Sequence, residues 1–162
     1  MSASQETRSY AQAIVLPGGG DRQLRSLLSC VLDAMDAKEH LAFTDRGHCG
    51  SWDVKVFPAD TQVKGDSAIY LATDRGLWVG FMEKTGFLST QPSCKIYGHD
   101  QIAGWSVNTT RHPDGSELHR ASIRNAAGRD LVALQFLYVA GFGFENKTRE
   151  RMAALQAALG LA

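Results

Sequence analysis

The sequence predicts an α+β fold: a strongly bent antiparallel sheet, or half-open barrel, with a C-terminal capping helix and an N-terminal helix before it. Three observations carry this. From Ala68 onward, short apolar segments alternate with tight-turn sequences, as in a meander. Asn146 to Leu161 places Met152, Leu155 and Leu159 at helical spacing. Near the other end, Leu24, Leu27, Leu28, Val31, Leu32 and Met35 form a second helical stripe. A small, half-closed sheet plugged by a helix usually binds things rather than converting them, so binding or assembly is the functional expectation.

The elements follow in order. Residues 1–20 are expected to form a flexible N-terminal segment ending in the break Pro17-Gly18-Gly19-Gly20, and residues 21–162 a single domain. Asp21 suits an N-cap, since its carboxylate can accept from free amides of the first turn. The helix that follows covers about 21–37, with Arg25, Asp33 and Asp36 on its polar face. Leu41 to Phe43 and Trp52 to Phe57 read as strands, the second alternating Trp52, Val54 and Val56 against Asp53 and Lys55. Pro58 to Gly65 reads as a loop. Thr-Asp-Arg-Gly occurs at 44–47 and again at 73–76. Shared turn chemistry explains the repeat, with Gly taking the positive φ that follows a two-residue turn; duplication is the alternative. Ala68 to Phe81 is therefore a β-hairpin. Glu83 to Ser93 reads as loop and Lys95 to Tyr97 as a short strand. Ile102 to Thr110, Ser116 to Arg124 and Leu131 to Val139 are further strands, separated by the turn signals His112-Pro-Asp-Gly115 and Asn125-Ala-Ala-Gly128. Asn146 can cap the last helix.

Composition narrows function. The chain has 162 residues, enough for one domain with a real core. Its 17 basic and 17 acidic residues cancel, which argues against nucleic acid, whose binders normally carry a basic excess. No apolar run reaches the roughly 20 residues that span a bilayer. Ala11 to Leu16 is too short, and lacks the basic flank, for a secretory signal. A cytoplasmic location is expected, and the odd count of 3 cysteines does not suggest a disulfide framework.

The hairpin Ile69-Tyr-Leu-Ala-Thr-Asp-Arg-Gly-Leu-Trp-Val79, the segment Lys95-Ile-Tyr-Gly-His-Asp-Gln-Ile-Ala-Gly-Trp-Ser-Val107, the glycine turns at 115 and 128 and the final helix together resemble bacterial pleckstrin-homology-like (PH-like) domains, which share their fold with GRAM domains. The resemblance covers about residues 50–162. It implies a seven-stranded bent sheet and a role in interaction, scaffolding or ring assembly. Phosphoinositide binding, known in eukaryotic relatives, needs a basic cluster. Lys55, Lys64, Arg75 and Lys84 are instead dispersed among acids.

Candidate chemistry is sparse. His48 with Cys49, and Cys94 with His99, lack the paired ligand spacing of a zinc site, so no metal is expected. No local signature supports a Cys-His nucleophile at Cys49 or Cys94. The glycine run before the first helix lacks a P-loop ending. Asp45, Asp53, Asp66, Asp74 and Glu83 suit turn and surface roles. Asn108 and Asn146 head glycosylation-type triplets without a secretory context. No cofactor is expected. Aromatic side chains are the better candidates for binding. Trp78, Phe81, Phe87, Tyr97 and Trp105 each suit the core taken singly, and Phe142 and Phe144 sit at a strand-to-helix junction; Phe87, Trp105, Phe142 and Phe144 are the candidate binding residues. The expectation is a non-catalytic module acting through protein–protein contacts, with another protein or a second copy of the chain as partner. A small apolar ligand or lipid, and a small hydrolase, are the alternatives. No residue pattern supports peripheral membrane contact.

Overall fold

The computed structural model describes residues 2–16, 22–46, 54–138 and 145–161. The order of elements is α1 (Gln5–Val15), α2 (Arg22–Ala34), β1 (Leu41–Arg46), β2 (Val54–Pro58), β3 (Val63–Thr73), β4 (Gly76–Lys84), β5 (Thr90–Gly98), β6 (Gly104–Arg111), β7 (Glu117–Arg124), β8 (Asp130–Tyr138) and α3 (Glu145–Ala158). The class is α+β, as expected. The strands make two four-stranded antiparallel sheets, β1-β3-β4-β5 and β2-β8-β7-β6, and these do not close into a barrel.

The sequence explains the layering. Ala68–Ala72 and Leu77–Met82 are nearly continuous apolar runs because β3 and β4 are covered on both faces. Ala68, Tyr70, Ala72, Leu77, Val79 and Phe81 point between the sheets, toward Val56, Ala121, Ile123, Val132, Leu134 and Phe136. Tyr70 meets Phe136 edge-on at 6.1 Å between ring centroids. Met152 and Leu155 of α3, with Leu159 just after it, join this core, and α3 lies against β1, β3 and β8. On the opposite face, Ile69, Leu71, Trp78 and Met82 receive the α2 stripe of Leu24, Leu27, Leu28, Val31 and Leu32. The outer face of the second sheet has no helix on it among the described residues. There the Arg120 guanidinium stacks 5.4 Å above the Phe57 ring.

Four expectations change. Residues 1–20 are not uniformly loose, since α1 occupies Gln5–Val15. Ser4 caps it by accepting from the Thr7 amide, and Ala11 and Val15 bury against α2. The first Thr-Asp-Arg does not turn: Thr44 to Arg46 lie within β1, paired with Leu71 to Ile69 of β3. Tertiary pairing outweighs the local turn preference there. Val63 to Gly65 belong to β3 rather than to a loop. Glu83 to Ser93 is mostly strand, and its turn is confined to residues 85–89. Pro92 is a loop signal in the sequence. It sits on β5, an edge strand, where a missing N–H costs no ladder bond.

The second Thr-Asp-Arg-Gly does form a two-residue hairpin, with Thr73 paired to Gly76. Gly76 has φ +145°, and a Cβ there would lie 2.0 Å from the Tyr97 carbonyl oxygen. The turns after β6 and β7 also fall where expected. His112 N–H donates to Ser116 O, and Asn125 N–H to Arg129 O. Asp21, Trp52, Asp53 and the glycine run lie outside the described residues. Asn146 falls one residue inside α3 rather than ahead of it.

Candidate functional site

Among the described residues the β4–β5 hairpin carries the largest apolar exposure. Beyond Lys84 and Thr90 the ladder ends, and the Thr85 amide donates to the Ser89 carbonyl to close the loop. Five residues then turn the chain, and Phe87 and Leu88 stand 87% and 84% exposed at the tip. The hairpin below is well anchored, because β4 pairs with both β3 and β5 along its length. Ser93 donates to Glu83 at 2.7 Å across its base. Two adjacent large apolar side chains on a rigid stalk form a knob that water solvates poorly. The flanking charges are one cation, Lys84, and one anion, Glu83.

The other candidates are scattered. Trp105 on β6 is half-buried and packs against the core between the sheets, so it is a structural residue first. Phe142 and Phe144 lie outside the described residues. Trp78 is buried, and its indole donates to Glu39. Cys94 and His99 do not come together. The Cys94 sulfur lies 3.4 Å from that of Cys30, and His99 Nε2 contacts Thr73 O at 2.9 Å. His48, Cys49 and the side chains of Asp45, Asp53 and Asp66 lie outside the described residues. Asp74 accepts from the His40 amide, a turn role. Among the described residues no group of three or more His, Cys, Asp or Glu is placed to hold a metal ion.

Sequence reasoning missed two polar clusters. Glu39, just before β1, buries its carboxylate and accepts from Thr73 Oγ1 (2.7 Å), Arg75 (3.2 Å) and the Trp78 indole. It ties the α2–β1 connection to the β3–β4 turn. On the second sheet, Thr109 Oγ1 lies 2.9 Å from His119 Nδ1, and His119 Nε2 lies 3.1 Å from Glu117. The carboxylate holds the imidazole proton on Nε2, so Nδ1 accepts from the Thr109 hydroxyl. Hydroxyl, imidazole and carboxylate follow the order of a nucleophile relay. Arg111 engages the other Glu117 oxygen at 3.4 Å. The cluster thus works as a polar zipper holding the end of β6 to β7. Alternation along β6 and β7 places these side chains on one face, but their partners could not be read from it.

Comparison with protein-family models, curated proteins and solved structures gives no match for this chain. Among the described residues no helix is long and apolar enough to cross a membrane.

Proposed function

We propose that this chain is a non-catalytic docking module that inserts the Phe87–Leu88 tip into an apolar pocket on a partner polypeptide. The near-complete exposure of these two side chains carries the reading. Burying a Phe and a Leu is worth about 3–6 kcal/mol in hydrophobic transfer, enough to make this tip an energetic centre of an interface. A protein pocket fits better than a lipid surface. Anionic membranes recruit clusters of Lys and Arg, and the tip offers Lys84 beside Glu83. An internal ligand is less favoured, because Tyr70, Phe81 and Phe136 are packed into the space between the sheets. The likeness to PH-like domains belongs to the same reading. It is supported by the meander and by α3 lying across both sheets, and such domains serve in interaction and scaffolding.

Phe87→Asp and Leu88→Asp test the idea. Each should weaken association at least tenfold in pull-down or titration against partners recovered with the parent chain. Both should leave the melting temperature and circular dichroism unchanged. Light scattering across a wide concentration range separates a second copy from an outside partner. Parent-like association in both folded variants would reject the proposal.

A further inference from the structure

Independently of the docking tip, we propose that Cys30 and Cys94 form a reversible intramolecular disulfide that clamps α2 onto β5, with a peroxide as oxidant. The two residues lie 64 positions apart in sequence, yet their sulfur atoms are 3.4 Å apart. The fold builds this approach. Cys94 pairs directly with Gly80 of β4, so both face α2. A Cβ on Gly80 would lie 2.8 Å from Ile69 Cγ1 and 3.3 Å from Val31 Cγ2. The missing side chain lets α2 settle onto the sheet at Val31, next to Cys30. Closing from 3.4 Å to a bond of about 2.05 Å asks for small side-chain rotations rather than movement of a whole element.

Access differs between the two thiols. Cys30 lines an open depression of about 590 Å³, together with Arg22, Arg25, Ser29, Asp33 and Pro92. Cys94 lies deeper. Its thiol is 3.5 Å from the Cys30 carbonyl oxygen, and burial, then Cys30, pushes its pKa up to about 12. Cys30, open to the depression, is the first to react. Its thiolate attacks one peroxide oxygen, breaking the O–O bond. With hydrogen peroxide this gives a Cys30 sulfenic acid and hydroxide, which takes the thiol proton to become water. Cys94 sulfur then attacks the Cys30 sulfur and expels hydroxide, which leaves as water with the Cys94 proton. In total, two thiols and one hydrogen peroxide give one disulfide and two waters. A dithiol reductant reverses the bond by exchange.

The test uses the full chain carrying Cys49→Ser, exposed to hydrogen peroxide and quenched. Intact mass should fall by two hydrogens, and non-reducing peptide mapping should join the Cys30 and Cys94 peptides. Dithiothreitol should restore the parent mass. The oxidised chain should melt about 5–15 °C higher, because the bridge closes a long loop in the unfolded state. With Cys94→Ser, dimedone should trap a sulfenic acid on Cys30. With Cys30→Ser, Cys94 should stay unlabelled in the folded chain. Gly80→Ala, if folded, should slow bridge formation while leaving both thiols titratable after unfolding. Separate oxidation of the two cysteines to sulfinic acids, cross-links only between chains, or no reaction at Cys30 would each overturn the proposal.

Discussion

Glu39→Ala should be among the more damaging single substitutions in this chain, and its cost can be worked from the geometry. The Glu39 side chain has no solvent exposure. Truncation takes the acceptor from the buried Thr73 hydroxyl, which still accepts from the Arg75 amide, and strands the buried Trp78 indole N–H, at about 1–3 kcal/mol each. Arg75 is 49% exposed and can turn to water, so its contact adds little. The Asp36 amide, 3.3 Å from the carboxylate, loses a weaker acceptor. Removing a buried charge returns part of the loss. The net is about 3–4 kcal/mol, close to the usual cost of breaking one side of a buried ion pair. For a chain of this length that lowers the melting temperature by about 6–16 °C. Urea unfolding followed by circular dichroism would measure it, with an unchanged m-value showing that stability alone has moved. Glu39→Gln should cost less, because one oxygen remains to accept while the amide is turned against a donor. A Glu39→Ala loss below about 1 kcal/mol would refute the claim that this carboxylate organises the turn.

Gly76→Ala should destabilise by at least about 2 kcal/mol in the same assay, because the new Cβ meets the Tyr97 carbonyl at an unfavourable φ; near-parent stability would show that the turn can relax. Tyr97 Oη is buried without a hydrogen-bond partner among the described residues. Tyr97→Phe should therefore be neutral or stabilising by up to about 1 kcal/mol, and a clear loss of stability would point to an unseen partner. Burial, then the charge of Asp60, pushes the Tyr97 hydroxyl from 10.0 up to about 12. A raised folded-state pKa means that its stability contribution is whole below pH 10 and is lost as pH climbs toward 12. Unfolding across that alkaline window should show a falling limb in the parent that Tyr97→Phe flattens.

Much of the scaffold was legible because local chemistry and tertiary need agree. The α2 and α3 stripes bury as their spacing demands, and the hairpin at 73–76 closes where its glycine requires. Other elements depend on distant partners. In α1, Ala11 and Val15 are the buried residues, too faint a stripe to stand out, although Ser4 with Glu6 in the first turn was a usable signal. The sequence places a strand at Lys95 to Tyr97, but the first half of β5 was hidden by Pro92, whose tolerance depends on being at a sheet edge. Phe87 was singled out, but Leu88 was passed over. Two successive large apolar residues in a turn are poorly placed for both to be buried, and that could have drawn attention to the pair. Cys30 with Cys94, and Glu39 with Trp78, are joined only by folding, so no spacing rule reveals them.

The position of β2 governs how this chain is made and cut. Its sequence neighbours β1 and β3 lie in one sheet, while β2 itself pairs with β8 in the other, Val54 opposite Phe136. A nascent chain can assemble β3, β4 and β5 as they emerge, but β2 has to wait until most of the polypeptide has been synthesised. Neither sheet can be expressed alone as a contiguous fragment, because each spans a strand that belongs to the other. Proteolytic halves should hold together or unfold together, and construction of split versions should favour hairpin tips over any boundary drawn between the sheets.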